Sequence, residues 1–340
     1  MSEKCTFEIQ KYLRVNKPLK IGVFGAGHLG KIHLRLLQES KHFDLVGFTD
    51  TNQESSLALS EELGYTYFDD EQKLLDACEV IDIVTPTLFH HEVAMKAIAK
   101  GKHVFLEKPI THTVAQAEEI VSAARANNVK GQVGHVERFN PAFVSVRDNL
   151  GEPMFVESHR LAEFNPRGTD VSVVLDLMIH DLDIVLSLID SPVKRIDASG
   201  VAVISETPDI SNARIEFENG SVANFTASRI SLKKMRKSRF FQKNSYIAVD
   251  YLTKKVEVVK IKEVTNTTDD TALLLTNAEG VKKQLYFENP TIEDSNAIQK
   301  ELEHFATCIQ QNKTPRVSLQ DGVKALDLAH QIIEKMKQFP

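Results

Sequence analysis

Three sets of residues in this chain combine types and spacings that chemistry uses. The first is Gly25-Ala26-Gly27-His28-Leu29-Gly30, answered by Asp50 twenty residues beyond the last glycine. Gly25 allows a tight turn, Gly27 lets backbone approach a pyrophosphate, and Gly30 lets a helix pack on a strand. A helix opening at His28 aims N–H groups and the positive end of its dipole at phosphates. Gly25, Gly27, His28, Leu29 and Gly30 therefore read as a phosphate cradle. Asp50 closes the next strand, where an acid can hold both ribose hydroxyls of an adenosine. The plainer alternative, a strand–turn–helix using glycine for turning alone, has no need of that acid.

The second set lies where later strands end. Thr85-Pro86 follows one, and Glu107-Lys108-Pro109 follows another. Ligands of doubly wound sheets bind at the carboxyl ends of strands. A lysine there can donate to a substrate hydroxyl or bear on a nicotinamide. The bland alternative is a solvated loop lysine, which Pro109 weakens by fixing a turn that can be cis.

The third set is Asp176, His180 and Asp183, at i, i+4 and i+7 in an otherwise apolar stretch, Val171 to Ile189. At about 100° per residue the three share one face of a helix. Ionisable groups on a buried stripe need partners or a water-lined cleft. A carboxylate one turn from a histidine orients the imidazole and stabilises its protonated form, which makes a sound general base. A satisfied interior His–Asp pair is the alternative. A metal reading of the three has the donors but no supporting HExxH or cysteine cluster, so no metal is expected.

These groups need a scaffold. Leu19–Phe24, Asp44–Thr49, Tyr65–Phe68, Val80–Val84, Val104–Leu106 and Gly131–Gly134 read as strands. Helices alternate with them at 28–37, 53–63, 71–77, 89–100 and 113–127. That alternation predicts a parallel doubly wound α/β sheet with right-handed crossovers. Beyond His135 the pattern changes. Asn140–Asn149 reads as helical, Met154–Ala162 as a strand and Val171–Ile189 as a long helix. Residues 193–287 are strand-rich, and helices at 293–311 and 319–337 finish the chain. This predicts an α+β domain with a large open, mostly antiparallel sheet. The expected organisation is an extension at 1–18, a dinucleotide-binding domain at 19–137 and a substrate and oligomerisation domain at 138–340.

At 340 residues, 42% hydrophobic and 26% charged, the chain can fill two cores. A net charge of −6 argues against a general nucleic-acid binder. Cys5, Cys78 and Cys308 lie far apart and cannot all pair, which suits a reducing, cytoplasmic compartment. No apolar leader is visible, and the longest apolar stretch carries too many ionisable groups for a lipid-spanning helix. An open sheet has a face to cover, so a homo-oligomer, dimer or tetramer, is expected. The basic run Arg229 to Arg239 reads as a solvated hairpin and edge strand. Arg160 and Arg167 flank a polar loop containing Asn165, just before the His–Asp helix, and suit an anion anchor.

The chain resembles the glucose–fructose oxidoreductase, inositol dehydrogenase and rhizopine-catabolism (Gfo/Idh/MocA) family over nearly everything after residue 18. The marks are the three glycines, Asp50, Thr85-Pro86-x-x-x-His90, Glu107-Lys108-Pro109, Arg138-Phe139-x-Pro141 and Asp176-x-x-x-His180. The resemblance implies a Rossmann domain followed by an open-sheet domain, and NAD(P)-dependent redox chemistry at a sugar or cyclitol carbon. It implies Thr85, Pro86, His90, Glu107 and Lys108 as cofactor contacts. It also implies proton transfer by Lys108 and His180, with Asp176 as orienting partner. Met178 stands where members often carry glycine or alanine. Residues 134–141 and 174–183 further resemble the UDP-N-acetylglucosamine (or its uronic acid) 3-dehydrogenase subgroup. That likeness implies a diphosphate-bearing ligand, with Arg138, Asn140, Arg160, Asn165 and Arg167 as contacts. The alternatives are a dehydrogenase of a free sugar, cyclitol or dihydrodiol, and a non-catalytic NAD-sensing regulator. Asp50 repels a 2′-phosphate and no arginine follows in Thr51–Ser56, so NAD is expected over NADP.

Overall fold

Strand β1 (Leu19–Phe24) is buried at every position but Lys20, the mark of a strand covered on both faces. The computed structural model to which it belongs describes residues 17–165, 171–263 and 273–337. After β1 come α1 (His28–Glu39), β2 (Phe43–Thr49), α2 (Gln53–Leu63), α3 (Glu71–Ala77) and β3 (Val80–Ile83). They are followed by α4 (His90–Ala99), β4 (His103–Glu107), α5 (Val114–Ala126) and β5 (Gly131–Gly134). The strands pair in the order β2-β1-β3-β4-β5, all parallel. Sequence chemistry sets the helix ends. Asn52 caps α2 and Gly64, at φ 73°, closes it, while Thr113 and Gln116 form a capping box on α5. The expected strand at 65–68 is reduced to a single bridge, Phe48 to Tyr67.

The second unit opens with α6 (Pro141–Val146) and β6 (Phe155–Leu161). A π-helical turn, Val174–Met178, leads into α7 (Ile179–Leu186). Then come β7 (Val193–Val201), β8 (Ile210–Phe217), β9 (Val222–Ser228), β10 (Met235–Gln242) and β11 (Ser245–Asp250). The last strands are β12 (Lys255–Glu263), β13 (Leu273–Thr276) and β14 (Lys282–Glu288). Among the described residues they form one sheet in the order β13-β14-β12-β11-β10-β6-β9-β8-β7. Every pairing is antiparallel except β6 with β9. The basic run falls partly on β10, which lies between β6 and β11 and is therefore not an edge strand. The fold is the α/β plus open-sheet α+β architecture that the two patterns imply.

The chain divides into two compact units. The first contains Met1–Val136 and Asn296–Leu326; the second contains Glu137–Ser295 and Asp327–Pro340. Helix α8 (Ala297–Gln310) returns to the first unit because Leu302, Phe305 and Ala306 join the core of Ile21, Val23, Leu34 and Phe105. The Phe105 and Phe305 ring centroids are 6.1 Å apart. The Gln132 side chain also donates to the Glu301 carbonyl at 3.0 Å. The last helix, α9 (Leu319–Lys337), begins in the first unit and ends in the second. No helix among the described residues is long and apolar enough to cross a membrane.

Candidate active site

The glycine loop is built as the sequence requires. Gly25 has φ 100°, and a Cβ there would lie 2.8 Å from the Val84 carbonyl carbon. A Cβ on Gly30 would lie 2.1 Å from the Gly25 oxygen, so only glycine lets α1 sit this close to β1. Gly27 faces open space, and no side chain caps the start of α1. Uncapped N–H groups at a helix start, beside an open glycine, fit a pyrophosphate. His28 is exposed and Leu29 half-buried at that start.

A cleft of about 560 Å³ adjoins the loop, lined among others by Gly25, Asp50, Tyr67, Thr85, Pro86 and Phe89. Asp50 accepts the Ala26 N–H at 2.7 Å and the Asn52 N–H at 2.9 Å. It thus ties the end of β2 to the glycine loop while setting a negative charge in the cleft. Thr85 Oγ1 is buried and has no hydrogen-bond partner among the described residues. An orphaned hydroxyl, an open glycine and an uncapped helix start together fit a dinucleotide.

His90 and Glu107, expected as cofactor contacts, have partners within the protein. His90 is 1% exposed. Its Nε2 lies 2.8 Å from the Thr85 carbonyl and its Nδ1 3.0 Å from the Pro109 carbonyl. Burial pulls the ring's pKa down, and nearby carbonyls and Glu107 oppose that pull. The ring joins the loop after β3 to the loop after β4. Glu107 stands 3.2 Å from His33 Nε2 and accepts the Lys108 N–H. Both residues brace strand ends. The Lys108–Pro109 bond is cis, and Lys108 is half-buried at the end of β4.

In the second unit the expected single stripe is broken. The Ile179 N–H donates to the Val174 carbonyl five residues back, so the helix carries a π turn between Val174 and Met178. Asp176 and His180 are half-buried, whereas Asp183 is 1% exposed and held by Arg138. Arg138 Nε and Nη2 donate to the two Asp183 oxygens at 2.7 and 2.8 Å. Asp183 is therefore not part of a His–Asp stripe. Among the described residues no group of three or more His, Cys, Asp or Glu is placed to hold a metal ion.

Of the five residues expected as anion contacts, Arg138, Asn140 and Arg160 are buried. Arg160, on β6, is 2% exposed. It donates from Nε and Nη2 to Asp181 at 3.0 and 2.8 Å, and from Nη1 to Glu137 at 2.9 Å. Asn140 donates to Glu137 at 2.9 Å and to the Tyr251 carbonyl at 3.0 Å. Arg138, Asn140 and Arg160 thus form an interior network that fixes α7 to β6 and to the 136–140 turn. Two carboxylates close in sequence to His180, Asp181 and Asp183, are the anchor points. Asn165 is exposed, and Arg167 lies outside the described residues. Sequence reading missed His33 and Asp82, which hold Glu107. A buried acid inside the apolar run Val80–Ile83 was the available signal.

Comparison with known proteins agrees with this geometry. Residues 19–135 match the oxidoreductase family with an NAD-binding Rossmann fold, and residues 124–242 match the GFO/IDH/MocA C-terminal domain. UDP-N-acetylglucosamine 3-dehydrogenase from Acidithiobacillus ferrooxidans is 34% identical over 241 residues, 71% of this chain and 76% of that protein. A solved structure bearing the same name and organism superposes with TM-score 0.85 and 29% identity, covering 94% of this chain and 98% of that one. The NAD⁺-dependent scyllo-inositol 2-dehydrogenase of Bacillus subtilis is 26% identical over 232 residues, 63% of this chain and 68% of that protein. The chain belongs to the GFO/IDH/MocA oxidoreductase family and is an NAD(P)-dependent dehydrogenase.

Proposed function

We propose that this family member oxidises or reduces a ring carbon of a nucleotide sugar, with NAD as its cofactor and the reaction of a UDP-N-acetylglucosamine 3-dehydrogenase as the nearest pattern. The observation that supports the substrate class is the 34% identity to the Acidithiobacillus ferrooxidans enzyme. NAD, when bound, supplies the hydride acceptor or donor. In the oxidative direction His180 takes the proton of the substrate hydroxyl, and Asp176 orients the imidazole and balances its charge. Lys108 donates to the same oxygen and stabilises the developing alkoxide. Asp181 and Asp183, locked by Arg160 and Arg138, keep His180 from shifting along the helix axis. The scyllo-inositol enzyme's similarity favours a free cyclitol or sugar as the second reading.

Cofactor choice follows from the cleft. Asp50 is joined there by Asp69, Glu71 and Glu92. Lys96 bridges Glu71 and Glu92 at 2.7 Å each and Lys73 lies 3.9 Å from Asp69, which leaves Asp50 to act on a 2′-phosphate. NAD is expected to bind at least about tenfold more tightly than NADP, the scale of one charge-assisted hydrogen bond. Titration of the purified protein with both cofactors measures the ratio, and equal or tighter NADP binding removes the assignment.

With Arg160 buried, the diphosphate contact moves to Arg236. This residue pairs with Arg160 across β10 and β6, its side chain is 50% exposed, and it lies 3.8 Å from Glu137. Its charge reaches Asp181, the residue after His180. Arginine forks match diphosphate oxygens. Arg236→Ala is expected to weaken UDP-sugar binding by about 1.5–3 kcal/mol, the range of a charged hydrogen bond. Binding of the unmodified sugar should change little. Calorimetry with NAD present tests both arms. A free sugar that binds wild type as well as the UDP-sugar does would leave the cyclitol or free-sugar reading in its place.

A further inference from the structure

Beneath the loop that carries Lys108, three ionisable side chains from one helix and two neighbouring strands of the first unit meet in the interior. His33 comes from α1, Asp82 from β3 and Glu107 from the end of β4. His33 and Asp82 are both fully buried, and the Glu107 side chain is 13% exposed. Nδ1 of His33 is 2.8 Å from Asp82 Oδ2, and Nε2 is 3.2 Å from Glu107 Oε1. The edge of Phe105 closes one side, with ring centroids 6.0 Å apart. The other Asp82 oxygen has no hydrogen-bond partner among the described residues.

Asp82 sits mid-strand between Ile81 and Ile83, where an apolar side chain would pack without cost. A buried carboxylate is expensive unless it is paired. A neutral imidazole donates from one nitrogen only, so it can satisfy one of the two acids and presents a lone pair to the other. An imidazolium donates to Asp82 from Nδ1 and sets its positive charge 3.2 Å from Glu107, although Nε2 is not aligned for a hydrogen bond there. Two carboxylates facing the two ring nitrogens therefore select the charged ring. The chemistry agrees: burial opposes the charge on His33, but the two acids outweigh it and hold the ring's pKa well above the ordinary histidine value. Burial pushes Asp82 up, while Glu107, facing both His33 and Lys108, is held below the usual glutamate value. Glu107 is the member at the strand end.

Room is kept for that member. A Cβ on Gly134 of β5 would lie 2.8–2.9 Å from the Glu107 carboxylate, so any side chain there would displace it. The second Glu107 oxygen accepts the N–H of Lys108 itself at 3.2 Å. His90, whose ring joins the Thr85 and Pro109 carbonyls, also faces Glu107 electrostatically.

We propose that His33, backed by Asp82, is a charged positioning residue that holds Glu107 ionised at the end of β4, and through it fixes the backbone and the electrostatic surroundings of Lys108. The cradle works at a distance from substrate. His33 touches neither cofactor nor reacting atoms; it acts through Glu107. It rests on the dehydrogenase reading only where turnover is measured.

The test has two arms on the full chain with NAD bound. In the first, ¹⁵N-histidine NMR follows His33 between about pH 6 and about pH 9, across the ordinary histidine range. Both nitrogens are expected to stay protonated in wild type. In Asp82→Asn, which keeps the shape and removes one charge, the ring should lose its proton as pH rises through that window. A neutral ring in wild type near pH 7 overturns the proposal. In the second arm, Glu107→Gln is expected to lower kcat about tenfold with little change in KM, as for a misplaced catalytic group. Asp82→Asn should give a turnover profile with a new loss of rate on the alkaline side, matching the NMR titration. Unchanged kcat and an unchanged pH profile in both variants, with His33 charged, would make the triad a packing device and overturn the positioning role. If wild type turns over no CH–OH substrate, the dehydrogenase reading fails by itself. The NMR arm then still decides the charged clamp.

Discussion

Arg160→Ala is expected to cost the second unit about 3–5 kcal/mol, the scale for removing one partner of a buried ion pair. The guanidinium is nearly unexposed, and all three of its nitrogens donate to carboxylates. Its removal leaves Asp181 and Glu137 facing each other in the interior. Burial already pushes the Asp181 carboxyl up, and Arg160 is the main group opposing that. A surface arginine binding an anion would instead leave stability within about half a kcal/mol of wild type when truncated. Chemical denaturation of both forms separates the two. Arg160→Lys should recover part of the loss, because it restores the charge but not the fork that meets both Asp181 oxygens. An unchanged unfolding midpoint for Arg160→Ala would return Arg160 to the list of ligand contacts. A lost midpoint confirms that the arginine's work is to seat the helix bearing His180.

His180→Ala and Lys108→Ala are each expected to lower turnover by about a hundredfold or more while NAD still binds, the usual effect of removing an acid–base group. The cleft proposed for the cofactor is lined by Gly25, Asp50, Thr85, Pro86 and neighbours, and not by Lys108 or His180. Cofactor affinity and turnover should therefore separate. Single-turnover reduction of bound NAD measures the chemical step, and fluorescence titration with NADH measures binding. Near-wild-type turnover in both variants would leave the half-buried His180 and Asp176 as a structural pair. Loss of NADH binding in step with turnover would place Lys108 in the cofactor cradle alone. Asp176→Asn should retain more activity than His180→Ala, since it leaves the base in place while removing the charge and the acceptor that favour its working tautomer.

Much was legible in the chain itself. The Gly25, Gly27 and Gly30 spacing, the strand before it and Asp50 after it dictate local geometry, because each acts within one strand–turn–helix unit. The alternation of strands and helices up to Gly134 likewise determined a parallel sheet. The apolar Val171–Ile189 run pointed to the helix that carries His180. Those signals depend on short-range sterics and on periodicity, which a sequence displays directly. Tertiary structure decided what periodicity cannot carry. A π turn at Val174–Met178 changed the angle between Asp176 and the later His180 and Asp183, since one five-residue step in the hydrogen-bond ladder shifts every later side chain around the axis, and Arg138 drew Asp183 into the interior. Arg138 and Arg160 looked like anion contacts because an arginine's sequence neighbours do not say whether an acid waits for it in the interior. Asp181 and Asp183, about twenty and forty-five residues away, supplied those acids. The His33–Asp82–Glu107 triad joins a helix to two strands. Helix α8, 190 residues beyond Phe105, completes the first unit's core because burial of apolar area is indifferent to chain order. The sequence by itself determined which groups are present and which local turns they make. The packing of distant segments determined which charges are neutralised inside and which remain to meet a ligand.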